Sequence, residues 1–150
     1  MTDSDFSPAA AAALRAAGWH PGRAVPTDGW AGLSREGFTP FPLAFALLAE
    51  FGGLTVEPVL VEDRVFAPSP IRFDPFYSSG EFDRVEGPQE QLGQPLFPLG
   101  EVLSGWHFLV APDGSCYAVS EFGFTRLATT FPDAIELLLF ARKQPTVLDG

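Results

Sequence analysis

"VAPDGSCYAVSEFGFTRLATTFPDAIELLLF", residues 110–140, changes its period twice, and those changes decide the fold. Asp113-Gly114 stands between two apolar runs, a strong hairpin signal, because Gly at that place supplies the positive φ a tight reversal needs. Phe122-Gly123 marks a second reversal, so the segment from "PLFPLGEV" onward predicts a three-strand antiparallel meander. The alternation then gives way to a helical stripe. Thr130 with Asp133 three residues on forms a capping box, opening a helix from Pro132 to about Lys143 whose "AIELLLF" face can dock on the sheet. From Gln144 the tail reads as frayed.

Upstream, "FTPFPLAFALLAEFGGL" is the clearest helix, with Thr39 as cap, Pro40 or Pro42 at its start and Gly52-Gly53 as its stop. Phe41, Phe45 and Leu48 lie on one face and Leu43, Leu47 and Phe51 on another, so it reads as apolar nearly all round and buried. Ser7-Pro8 followed by alanines and closed by Gly18 gives a short peripheral helix. A second short helix is expected over Asp28 to Glu36, burying Trp30 and Leu33. After Gly53, "LTVEPVLV", "RVFAP" and "IRF" read as short edge strands broken by proline, and Ser79 to Leu92 as an acidic surface helix. The expected architecture is α+β, a mostly antiparallel twisted sheet with helices packed around it, in one domain over residues 1–150.

Charge narrows the function. Nine Lys plus Arg against 19 Asp plus Glu leave a net charge of −10, the reverse of what binding a phosphate backbone requires. Nucleic acid and anionic lipid are therefore poor ligands, whereas a basic protein surface is a good one. Residues 57–90 hold eight acids, Glu57, Glu62, Asp63, Asp74, Glu81, Asp83, Glu86 and Glu90, against Arg64, Arg72 and Arg84, which gives this segment −5 of the total. The alternative reading of that cluster is a solvated face that only aids solubility. Cys116 is alone, the N-terminus lacks the basic start of a signal peptide, and no window has the apolar length of a membrane span, so a cytoplasmic protein is expected.

No catalytic constellation emerges. Neither His20 nor His107 belongs to a metal-ligand spacing, so no metal and no cofactor is expected. Cys116 with His107 fails as a dyad. A two-residue turn at Asp113-Gly114 leaves them roughly 13 Å apart on one face, and a loop one residue longer puts them on opposite faces. "FGGL" follows a helix instead of opening one, so its amides form no anion site.

"AAGWHPGRAV", residues 16–25, gathers Trp19, His20 and Arg23 around a Pro-Gly turn. It reads as a corner in which Trp19 buries its ring and its indole N–H seeks a carbonyl, while Arg23 braces the turn on backbone carbonyls or a carboxylate.

In order and spacing, "GWHPGRAV" followed by "GF", "FALLAEFGGLTV", "FDP", "LFPLGE", "VAPDGSCYAV" and "FPDAIELLL" resemble the SUKH superfamily of bacterial immunity proteins, in its third subgroup. The resemblance runs from about Gly18 to Leu139. It implies an α+β fold with Trp19, Arg23, Gly52, Gly53 and Gly100 as a structural signature. It also implies no catalytic activity, and an intracellular antidote that binds the cognate toxin of a polymorphic toxin system, often a nuclease or nucleic-acid deaminase. The acids from Glu57 to Glu90 are then the leading toxin contacts, with Phe76, Tyr77 and Phe82 as aromatic anchors. Two other readings are a non-catalytic small-molecule or peptide binding module, which requires an apolar groove between sheet and helices, and a weak enzyme, which requires a titratable pair in contact within a cleft.

Overall fold

A computed structural model describes residues 1–148. Seven strands form one sheet in sequence order, β1 (Thr55–Val56), β2 (Ile71–Arg72), β3 (Phe97–Val102), β4 (Trp106–Val110), β5 (Cys116–Ser120), β6 (Gly123–Ala128) and β7 (Thr146–Val147). Every neighbouring pair is antiparallel. Four α-helices, α1 (Pro8–Ala16), α2 (Pro42–Phe51), α3 (Phe82–Leu92) and α4 (Phe131–Phe140), and short 3-10 segments complete an α+β fold.

The meander has four strands, because Leu103 and Ser104, both at φ 54°, turn the chain from β3 into β4. Val110 pairs with Cys116 and His107 with Val119, so the Asp113-Gly114 loop takes the longer of the two registers. His107 and Cys116 therefore sit on opposite faces. Thr130 Oγ1 accepts the Asp133 N–H at 3.3 Å, which opens α4 as its sequence predicts. The helix ends at Phe140 instead of running to Lys143, because Ala141 adopts φ 54° and turns the chain back toward the sheet. The tail is not frayed there. Thr146 and Val147 pair with Arg126 and Thr125, and the Leu148 N–H reaches the Phe124 carbonyl. "RVFAP" forms no strand, and the connection holding it is tied to the end of α4 by Val59 N–H to Leu139 O and Val65 N–H to Ala141 O.

Residues opposed in an antiparallel pair share a face, so Phe108 defines one side of the sheet and His107 the other. On the Phe108 side, Phe51 of α2, Phe73 and Phe131 of α4 close a ring cluster, with centroids 4.8 Å apart for Phe51–Phe131 and 6.0 Å for Phe73–Phe108. Ala44, Leu47, Leu48 and Phe51 form the buried stripe of α2. The helix is not enclosed all round, since Leu43 and Phe45 are half-buried at the rim. Phe41, not Thr39, occupies the cap position, with Pro42 first in the helix. Ser7 caps α1 by accepting the Ala10 N–H and also donates its hydroxyl to Glu136 of α4, so a helix of small residues still buries Ala10 and Leu14 completely.

The signature positions serve this architecture. Trp19 stacks on Phe51 at 6.0 Å, and its indole N–H donates to the Glu50 carboxylate at 2.8 Å instead of to a carbonyl. Arg23 donates to the carbonyls of Glu50 at 2.8 Å and Gly52 at 2.9 Å, holding the exposed acceptors at the end of α2. A Cβ at Gly52 would lie 2.4 Å from both the Leu48 carbonyl and the Trp30 ring, while Gly53 supplies φ +85° for the reversal into β1. At Gly100 a Cβ would lie 1.8 Å from the Arg72 carbonyl, so only glycine lets β2 approach β3 at its bulge.

Candidate functional site

The His107 side of the sheet is covered by different material. A 3-10 turn, Pro75–Ser78, lies against β3, and α3 follows it to rest on β5. Asp74 caps that turn by accepting the Phe76 N–H at 3.1 Å. Ser78 is fully buried and shares a 2.8 Å hydrogen bond with Nδ1 of His107, and the Tyr77 ring lies 5.0 Å from the imidazole. This pair pins the turn to the sheet. A serine oxygen with no exposure cannot meet a substrate carbonyl, so the contact is a buried polar bond and not a nucleophile poised in a cleft.

Two clefts open around this element, one on each flank of α3. Glu36, Ser79, Gly80, Phe82, Asp83 and Glu86 line one of about 520 Å³. The Glu36 carboxylate accepts the Gly80 N–H at 2.7 Å and the Ser79 hydroxyl at 2.8 Å, and these two bonds, the backbone one foremost, hold its pKa below the ordinary value. The second, of about 220 Å³, is lined by Tyr77, Glu81, Arg84, His107, Glu121 and Phe122, among others. Arg84 is engaged with Glu81 at 2.7 Å. Burial in this wall lowers the His107 pKa, with Arg84 adding to the effect and Glu81 opposing it, so the ring is neutral at pH 7. Together the clefts display Glu36, Glu81, Asp83, Glu86 and Glu121 against the single cation Arg84. Phe122 stands 81% exposed at the edge of the second cleft, with Phe76 and Tyr77 also exposed on the 3-10 turn.

The structure divides the acids of residues 57–90 into two groups. Glu57, Glu62 and Asp63 lie on the exposed connection beside the end of α4, where Asp63 pairs with Arg142 at 3.2 Å. Glu81, Asp83 and Glu86 gather at the clefts, Asp74 is occupied as a cap, and Glu90 lies toward the far end of α3. Phe82 is a half-buried anchor whose ring meets Phe38 at 5.1 Å, so it supports the surface more than it projects from it. The sequence reading did not single out Glu36, Glu121 or Phe122. Glu36 arrives from a segment more than 40 positions upstream, and Glu121 and Phe122 fall at the Phe122-Gly123 reversal, where no site was expected.

Among the described residues no group of three or more His, Cys, Asp or Glu could hold a metal ion, and no helix is long and apolar enough to cross a membrane. Cys116 is buried on the Phe108 side, and burial pushes its thiol pKa far up. A family model described as SUKH-3 immunity protein matches residues 6–140. The chain belongs to the SUKH-3 immunity protein family. The SUKH-3 match runs from Phe6, packed edge-on against Trp19, to Phe140, the last residue of α4, and so takes in the whole ring cluster and both clefts. No curated protein and no solved structure matches significantly. Membership points to a role in neutralising a toxin, and so to a protein partner.

Proposed function

We propose that this SUKH-3 protein is a cytoplasmic, non-catalytic antidote of a polymorphic toxin system. It docks the cleft-bearing side of its sheet on a toxin whose active-site cleft is basic, a nuclease or nucleic-acid deaminase. The observation that carries this reading is the acidic lining of the two clefts that flank α3, five carboxylates against one arginine, with Phe76, Tyr77 and Phe122 exposed on the side of the second. Enzymes that handle nucleic acid present positive charge to phosphates, and an acidic surface imitates the phosphates while aromatic side chains anchor the contact. Long-range attraction also speeds encounter, which suits a protein that must reach its toxin before the toxin reaches its target. The clefts are open and rimmed with charge, so they favour a protein surface over the enclosed apolar groove that a small-molecule module would use.

Affinity capture of a toxin by the tagged chain from its own cells tests the role directly. The surface is tested by reversing charge at Glu81, Asp83 and Glu86 with lysine. Partner association should then slow by about tenfold or more at low salt, with the difference shrinking as salt is raised. Undiminished protection of a toxin-expressing cell would remove this surface from the reading.

A further inference from the structure

We infer that the cleft between Tyr77, His107 and Phe122 is a socket for one arginine side chain of the partner, a proposal that rests on the immunity reading above. His107 is only 5% exposed, and its Nδ1 is taken by Ser78. Nε2 has no hydrogen-bond partner among the described residues, yet the ring lines the cleft and is not sealed from it. A nearly buried ring nitrogen facing an open cleft without a protein partner is a vacancy for a hydrogen-bonding group. The Ser78 hydroxyl can donate to Nδ1 or accept from it, so an incoming donor can select the tautomer in which Nδ1–H bonds Ser78 and Nε2 accepts.

The surroundings specify which donor. Glu121 makes no hydrogen bond or ion pair among the described residues, whereas Glu81 is engaged with Arg84. The lining therefore keeps one uncompensated negative charge, from two carboxylates against one guanidinium. Phe122, 81% exposed, and Tyr77 offer aromatic faces at the same mouth. A planar, delocalised cation with a fork of N–H donors can stack on an aromatic face, pair with Glu121 and donate to Nε2 together. Lysine offers a compact, strongly hydrated ammonium that stacks less well. Arg84 would repel a second guanidinium, but its own charge is already paired at 2.7 Å.

The probe is N-acetyl-arginine amide, titrated to tens of millimolar into the full-length isotope-labelled chain and followed by amide NMR. Saturating shifts are expected at Tyr77, Gly105, His107 and Phe122, with the lysine counterpart binding several-fold more weakly. Phe122→Ala and Glu121→Gln, at exposed positions that the fold does not need, should each weaken the probe several-fold. Absence of localised shifts, or shifts that both variants leave unchanged, would overturn the socket. With the toxin in hand, the double variant should bind at least about tenfold more weakly. Full affinity in that variant would overturn the socket while the immunity reading stands. If no toxin associates with the wild-type chain, the immunity reading fails, and the arginine titration still decides the chemistry of the cleft.

Discussion

The two faces of one sheet have been filled in opposite ways. Over Phe108 the chain lays α1, α2 and α4, and Phe51, Phe73, Phe108 and Phe131 interlock with no polar side chain among them. Over His107, one register position away, it lays a four-residue 3-10 turn and an acidic helix, and the contact at the centre is a serine hydroxyl on an imidazole. The first face gains its stability from burying apolar area, roughly 1.5–3 kcal/mol for each large side chain. The second also buries Leu109, Tyr117, Val119 and Phe124 with Val85 of α3, but around that polar bond it leaves carboxylates and a phenylalanine exposed that the fold itself does not use. A protein that must remain folded while meeting a partner gains from this separation, because the recognition surface can vary without disturbing the ring cluster.

The sharpest way to break that contrast is to truncate one phenylalanine on each side. Phe108→Ala removes a fully buried ring in contact with Phe73 and Phe131, and unfolding in denaturant should show a loss of about 4 kcal/mol. Partner affinity of the protein that remains folded should be unchanged. Phe122→Ala should stay within about 0.5 kcal/mol of wild type in the same assay. Equal losses at both positions would show that the two faces share one stability ledger and that the separation is false.

Arg23 tests the same division at the corner below α2. Arg23→Ala strips two charge-assisted hydrogen bonds from the Glu50 and Gly52 carbonyls, which water can partly replace at a half-buried site. A loss of about 2 kcal/mol is expected in denaturant unfolding, with toxin affinity in the folded fraction unaltered. The reverse pattern, weaker binding at constant stability, would move this corner onto the recognition surface.

How far these faces could be read in advance differed in the same way. The filled face is written in local signals: Ser7 and Thr130 as caps, Pro8 and Pro42 as helix starts, Gly52-Gly53 as a stop and Asp113-Gly114 as a turn all occupy the places their chemistry predicts. The reversal that separates β3 from β4 went unread because it uses Leu103 and Ser104 in a left-handed conformation that neither residue advertises. β7 is two residues long and has no period to detect. On the cleft face the acidic helix α3 was legible, but the clefts on its flanks were not. The acids of α3 could be assigned to a helix, but the position of Glu57, Glu62 and Asp63 beside the end of α4 could not be read. The pairing of Glu36 with Gly80, and of Ser78 with His107, depends on how the chain folds over a distance.

Acid provides the finest test, because the one buried imidazole belongs to the cleft face. Cys116, on the filled face, has its thiol pKa raised by burial and stays protonated. His107 is displaced downward from 6.5, chiefly by burial and then by Arg84, with Glu81 opposing. Tyr77, Glu101, which pairs with it across β3 and β4, and Glu121 complete the titratable groups around it. In the unfolded chain this histidine takes a proton as pH falls through about 6.5, while the folded ring resists, so the unfolded state binds more protons. Stability is therefore complete above that pH and is lost as pH drops from it toward the folded value. His107→Asn keeps a polar group near Ser78 and removes the titration. Its stability curve should lie below wild type at pH 7.5, and the gap should narrow as pH falls below about 6.5. A constant gap across that range would show that the imidazole under the recognition surface feels no more burial than one in water, and the vacancy at its Nε2 would lose its physical basis.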